Sequence, residues 1–167
     1  IRDRAHMDEV GFMVTDITSD GYLKFDEVGG LDRRVVLGKT VTVGKNKVNG
    51  VIGVKPIHLS KSDERTAVPK YGEMYIDIGA TSKEDAVENF GIRIGEPIIS
   101  DVHFSYDEEH DVMIGKGFDC RIGCAALLET MRRLSDENLN VDLVGVLSTQ
   151  EELGERGVKV AVGKVAP

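Results

Sequence analysis

Two adjacent carboxylates, Glu151 and Glu152, close the run Val141-Asp142-Leu143-Val144-Gly145-Val146-Leu147-Ser148-Thr149-Gln150. Catalytic groups in open α/β sheets collect beyond the carboxyl ends of strands, so the pair stands where chemistry is expected. Taken alone, the same acids, with Glu155, read more simply as opening the next helix and favouring its positive end. Near the other end of the chain, His6 and Asp8 are two residues apart. On extended backbone they would point the same way, and Asp8 could hold one His6 tautomer while the other ring nitrogen ligates a metal. A surface histidine beside two acids is the alternative. Asp119 sits between a strand-like segment and a helical one, where it could be a ligand or merely cap the helix. Three separated ligand-type positions at the ends of elements of one α/β core carry more weight together than any one alone.

The elements that must position them have three textures. Val141 to Leu147 is rich in Leu and Val with one Gly, which reads as a parallel strand buried on both faces. Ala125 to Leu134 has helical periodicity, with Leu127, Leu128, Met131 and Leu134 on one face and Glu129, Arg132 and Arg133 on the other. Between Thr15 and Ile114 the chain alternates in short segments cut by turn residues. Val10–Val14, just before it, reads as a strand that follows the His6 run, while Tyr22–Val28, Val35–Val43, Val48–Val54, Met74–Ile78, Pro97–Tyr106 and Val112–Ile114 within it read as strands of a small closed antiparallel barrel or a sandwich. Lys61 to Lys70 reads as a charged loop or helical turn, and Ser82 to Gly91 as one helix capped by Ser82 or Thr81 and closed by Gly91. His58, His103 and His110 are isolated from other ligand types, so solvent or ordinary packing is expected for them. Asp107 to Asp111 reads as a solvated hairpin tip.

Composition narrows the partners. The 167 residues carry 21 basic and 29 acidic side chains, a net charge of -8, which gives little electrostatic support for a nucleic-acid backbone. No apolar stretch approaches the roughly 20 residues of a membrane span, and Ile1-Arg2-Asp3-Arg4 has no signal-peptide core, so a cytoplasmic chain is expected. The only cysteines, Cys120 and Cys124, are spaced for one face of a helix rather than for a structural zinc cluster, and two reduced thiols are expected.

Five ordered blocks carry a family resemblance: Ala5-His6-Met7-Asp8-Glu9-Val10-Gly11-Phe12, Lys55-Pro56-Ile57-His58-Leu59, Tyr75-Ile76-Asp77-Ile78-Gly79, Phe118-Asp119-Cys120-Arg121-Ile122-Gly123-Cys124, and Gln150-Glu151-Glu152-Leu153-Gly154-Glu155-Arg156-Gly157. In order and spacing they resemble the TET-type co-catalytic metallo-aminopeptidases, metallopeptidase family forty-two. That family includes glutamyl and deblocking aminopeptidases, and some members have carried endoglucanase or cellulase labels. The resemblance implies a partial zinc-peptidase-like (phosphorylase/hydrolase-like) α/β core interrupted by an inserted small β-barrel dimerisation domain. The corresponding divisions are residues 1–14 and 115–167 for the catalytic domain and 15–114 for the insert.

The resemblance further implies that His6 ligates one metal, Asp119 bridges two, and Glu152 ligates the other, with Glu151 as general base and Asp8 as partner of His6. The two divalent ions would be zinc or cobalt, with manganese also suited. Two such ions about 3.5–4 Å apart can share a carboxylate and a water, acidifying that water and polarising a scissile carbonyl. Adjacent side chains diverge at a strand end, so one of Glu151 and Glu152 can reach a metal while the other reaches the water. Peptides are the implied substrate, and a homodimer through the β domain within a dodecamer is the implied assembly.

This chain departs from the family pattern in having Cys120 where a second acid is usual, and only four residues, three of them charged, ahead of the Ala5-His6 block. It also stops before the segments expected to bring further metal-binding Asp and His ligands. The expectation is therefore a fragment of the enzyme that is not itself a competent peptidase. Two rival readings are kept. One is a glycoside hydrolase using the paired carboxylates, which the absence of Trp and the 5% aromatic content disfavour. The other is a non-catalytic oligomerisation fragment.

Overall fold

The computed structural model describes residues 2–60 and 66–165, so the Lys61–Arg65 part of the charged segment lies outside the described residues. The chain divides into two compact units, Val10–Asp101 and Ile1–Glu9 together with Val102–Pro167.

The first unit is a closed six-stranded barrel. Its strands are β2 (Gly11–Ile17), β3 (Leu23–Val28), β4 (Thr40–Val43), β5 (Val48–Val54), β6 (Met74–Asp77) and β7 (Pro97–Ser100), in the order β2-β3-β6-β5-β4-β7 and back to β2. Every pairing is antiparallel. Alternate residues face the interior: Leu23 and Phe25, Val41 and Val43, Met74 and Ile76 are all buried. In β2 the register slips between Val14 and Asp16, so that apolar Ile17 turns inward and Asp16 stays out. Phe12, Phe25 and Tyr71 pack edge to face in this core, with ring centroids 5.1–5.9 Å apart. Gly50 is required by crowding, since a Cβ there would lie 2.6 Å from Ile76 Cγ2. The short helix α1 (Lys83–Glu88) begins where the sequence placed it, with the Ser82 hydroxyl accepting from the Asp85 N–H, and Gly91 follows at φ +70°.

Several boundaries differ from the sequence expectation. Val35–Val43 is a strand only from Thr40, because Asp32 caps a 3-10 turn at Arg33–Val35 and Val36 is drawn into the core. Pro97–Tyr106 breaks after Ser100. The barrel takes Val10–Val14, since β2 pairs with both β3 and β7, and it loses 102–114, whose strands, among the described residues, pair with each other.

The second unit contains β1 (Arg2–His6), the hairpin β8 (Ser105–Asp107) and β9 (Val112–Ile114), helix α2 (Phe118–Arg133), β10 (Val144–Ser148) and helix α3 (Arg156–Val165). The charged residues ahead of His6 do form a strand, contrary to their apolar deficit. β1 runs parallel to β10 from Arg2↔Val144 to His6↔Ser148. A parallel ladder is made by backbone groups, so it tolerates an exposed Arg4 beside Ala5 and His6, which are both buried. β10 itself is not covered on both faces. Among the described residues its sheet has two strands, and Leu147 is 37% exposed. On α2, Cys124 and Leu127 are buried while Leu128 is 57% exposed, so the buried stripe is narrower than the periodicity suggested. The hairpin tip is solvated as expected, with Asp107 accepting from the Glu109 and His110 N–H groups. His58, His103 and His110 are all exposed. No helix among the described residues is long and apolar enough to cross a membrane.

Candidate metal centre

The second unit brings His6, Asp8, Asp119, Glu151 and Glu152 together. His6 ends β1 and Ser148 ends β10 beside it, so the parallel register alone sets the histidine three residues from the Glu151 turn. Met7 N–H donates to the Ser148 carbonyl at 2.8 Å and extends that alignment one residue past the strand. Cys124 on α2 points its thiol at the His6 carbonyl, 3.1 Å away, which ties the helix to the same strand end.

Asp119 is presented by an irregular start to α2. Gly117 adopts φ +67°, Asp119 and Cys120 depart from helical angles, and the Asp119–Cys120 peptide is cis. Asp119 therefore does not cap the helix. Its carboxylate Oδ1 lies 3.0 Å from His6 Nε2. Glu151 and Glu152 occupy a turn between β10 and α3, with Gln150 at φ +57°, and helix α3 starts only at Arg156. They do not form its first turn. Glu151 Oε2 comes within 3.8 Å of the same Nε2.

Asp8 acts differently from the sequence expectation. It lies past the end of β1, and its backbone carbonyl, not its carboxylate, is the nearer partner of His6 Nδ1, at 3.0 Å against 3.5 Å. The carboxylate instead accepts the N–H groups of Glu151 and Glu152, each at 3.3 Å. One residue thus orients the imidazole with its main chain and the glutamate pair with its side chain.

The electrostatics are those of a site short of positive charge. Burial opposes protonation of His6 and is the largest single influence, yet the Asp119 hydrogen bond, the Asp8 carbonyl and the charges of Glu151 and Asp8 together raise its pKa. Burial pushes the Glu152 carboxyl up, and Glu151 adds to it, with His6 opposing and Asp119 and Asp8 reinforcing. Four carboxylates surround one imidazole that is 7% exposed. Donor atoms of His6, Glu151 and Glu152 lie within 4.8 Å of one another, as do those of His6, Asp119 and Cys120. Imidazole nitrogen and carboxylate oxygen suit zinc, cobalt and manganese, so the residues fit a divalent-cation centre. Both cysteines are free thiols, and Cys120 departs from helical backbone angles while Cys124 lies in the regular part of α2.

The family model of the M42 glutamyl aminopeptidases matches residues 4–167. The chain belongs to this family. It is 36% identical to the glutamyl aminopeptidase of Lactococcus lactis, over 98% of this chain and 47% of that protein. It is 32% identical to the lysyl aminopeptidase of Pyrococcus furiosus, again over 98% and 47%. Among solved structures, a TET aminopeptidase from the marine sediment archaeon Thaumarchaeota archaeon SCGC AB-539-E09 superposes with a TM-score of 0.90 at 39% identity, over 99% of this chain and 48% of that one. The Pyrococcus horikoshii TET1 peptidase, whose structure is described as assembling into a tetrahedron or a large octahedral shell, gives 0.84 at 36%, over 99% and 50%. A Thermotoga maritima structure titled endoglucanase gives 0.74 at 31%, over 99% and 45%. This M42 chain spans about half the length of the relatives it matches.

Reading the residues alone missed Glu9, Lys116 and Arg121. Glu9 was visible only as the last acid of the His6–Glu9 run. Its cationic partners are more than a hundred positions away, and the glycine between them, Gly117, is the one local sign of a close approach.

Proposed function

We propose that the protein of which this chain is part is a dinuclear metal-dependent aminopeptidase that removes N-terminal residues from peptides. The observation that carries this is the convergence of carboxylates from two distant segments, Asp119 at 3.0 Å and Glu151 at 3.8 Å, on the buried Nε2 of His6. His6, Asp119 and Glu152 would hold divalent ions, zinc or cobalt with manganese also suited. Bound there, such ions act as Lewis acids on a peptide carbonyl and lower the pKa of water. Glu151 is the general base, its carboxylate taking the proton of the attacking water and delivering it to the departing amine. Asp8 holds the tautomer of His6 in which Nδ1 carries the proton, leaving Nε2 as the donor to metal.

The relatives are named for different N-terminal residues, glutamyl and lysyl, so the proposal stops at aminopeptidase. The barrel is the proposed dimer-forming element, within a dodecamer, and the cytoplasm the proposed location. Among the described residues each barrel strand is paired on both sides, so association there would use exposed side chains such as Val35, Val51 and Ile94. A glycoside hydrolase would need two carboxyls working across a sugar ring; the focus of the acids on an imidazole supports metal chemistry instead.

In the full-length protein, Glu151→Gln and Glu152→Gln test the roles. Glu151→Gln is expected to keep its metal and lose roughly 10²–10⁴ in turnover, while Glu152→Gln loses metal. Near-parental peptidase activity in Glu151→Gln would overturn the assignment.

A further inference from the structure

Glu9 follows Asp8 directly and has no part in the roles above, yet both of its carboxylate oxygens are engaged. Oε1 pairs with Lys116 Nζ, and Oε2 lies 3.7 Å from Arg121 Nη2. The Glu9 side chain is only 16% exposed, so this is more than a solvated surface pair. Its two partners bracket Asp119, one on each side of it in the chain. Arg121 Nε also donates to the Met7 carbonyl at 3.3 Å, so one guanidinium grips the backbone just before Asp8 and the carboxylate just after it. Gly117 makes the approach possible. A Cβ at Gly117 would sit 2.5 Å from Glu9 Oε2 and 3.1 Å from Arg121 Cζ, and its φ of +67° disfavours any side chain.

The β1 end carrying His6, with Asp8 just past it, and the turn carrying Asp119 are therefore joined by charge as well as by the His6–Asp119 contact. We propose that Glu9 is a positioning residue of the metal centre: with Lys116, Gly117 and Arg121 it clamps the Asp119 turn to the His6 strand end and so sets the separation of the two donors. The inference rests on the metallopeptidase reading. It differs from that reading in assigning work to a carboxylate that touches neither metal nor substrate.

The test is zinc affinity, measured by competition with a chromophoric chelator, in the full-length protein of which this chain is part and its Glu9→Ala, Glu9→Gln, Arg121→Ala and Glu9→Ala/Arg121→Ala variants. Removing a group that orients a ligand typically costs about 10–100-fold in metal affinity, and that loss is expected for Glu9→Ala. The double variant should be little worse than Glu9→Ala, because both changes open the same clamp. Glu129→Ala, which removes an exposed ion pair with Arg132 and Arg133 on the same helix, should bind zinc as the parent does. With peptide substrate, kcat should fall while KM holds. Should Glu9→Ala fail to fold, the isosteric Glu9→Gln decides by the same titration, with a smaller loss of the same sign expected. Parental zinc affinity in the folded Glu9 variants, additive losses in the double variant, or an equal loss in Glu129→Ala would overturn the clamp. If the parent protein and His6→Ala take up zinc equally poorly, the metal reading itself fails and takes the clamp with it.

Discussion

Asp8→Asn separates the two jobs that Asp8 performs. The substitution leaves the backbone carbonyl that faces His6 Nδ1 and removes the charge that faces the Glu151 and Glu152 N–H groups. Hydrogen bonds to a charged acceptor contribute about 1.5–3 kcal/mol each when short. These two are 3.3 Å long and the Asp8 side chain is 25% exposed, so the low end or below applies. Roughly 1–3 kcal/mol for the pair corresponds to about 10–100-fold in whatever equilibrium needs the turn in place. The expected result is a loss of that size in zinc affinity, with Nδ1 of His6 still carrying its proton in ¹⁵N-resolved spectra of the imidazole. A changed tautomer with parental zinc affinity would refute the reasoning and return Asp8 to the role its spacing from His6 first suggested.

Three further outcomes are expected. Burial, reinforced by Glu27, pushes the Tyr71 phenol up to about 12; the unfolded phenol ionises near 10. The folded state therefore resists ionisation, and stability is full below about pH 10 and is lost as pH rises toward about 12. Urea midpoints against pH should show this loss in the parent and not in Tyr71→Phe, which is expected to start lower because the hydroxyl donates to the Leu31 carbonyl at 3.0 Å. Gly157→Ala would place a Cβ onto the Thr149 carbonyl oxygen and 2.8 Å from its amide nitrogen, both backbone atoms that cannot step aside. A destabilisation of about 1–3 kcal/mol is expected, with weaker zinc binding because Thr149 leads into the Glu151 turn; unchanged unfolding and zinc titrations would contradict it. Leu127→Ala, at a side chain 3% exposed that packs against Gly145, should cost about 2–5 kcal/mol in the same unfolding assay.

The barrel was legible because its signal is local. Period-two alternation with Gly and Asn turns fixes which residues face inward whatever the rest of the chain does. The places where it misled, Val35–Val43 and Pro97–Tyr106, are apolar runs in which a capping Asp32 or the end of a pairing decides, and neither shows in the alternation. The site was legible as a set of residue types at element ends. Its internal wiring was not, since whether the carbonyl or the carboxylate of Asp8 meets His6 depends on how the Glu151 turn approaches from the far end of the sequence. The strand at Arg2–His6 was hidden because parallel pairing draws on backbone groups that every residue has. Glu9 was hidden because neither of its partners lies near it in the chain.

Anomalous diffraction at the zinc edge, from crystals of the protein grown with zinc, tests the central claim most directly. Density peaks are expected in contact with His6 Nε2, the Asp119 carboxylate and the Glu152 carboxylate, with Glu151 beside them and not lost to a distant rotamer. Peaks confined to surface sites such as the Asp107–His110 hairpin tip, with none at His6, would contradict the account.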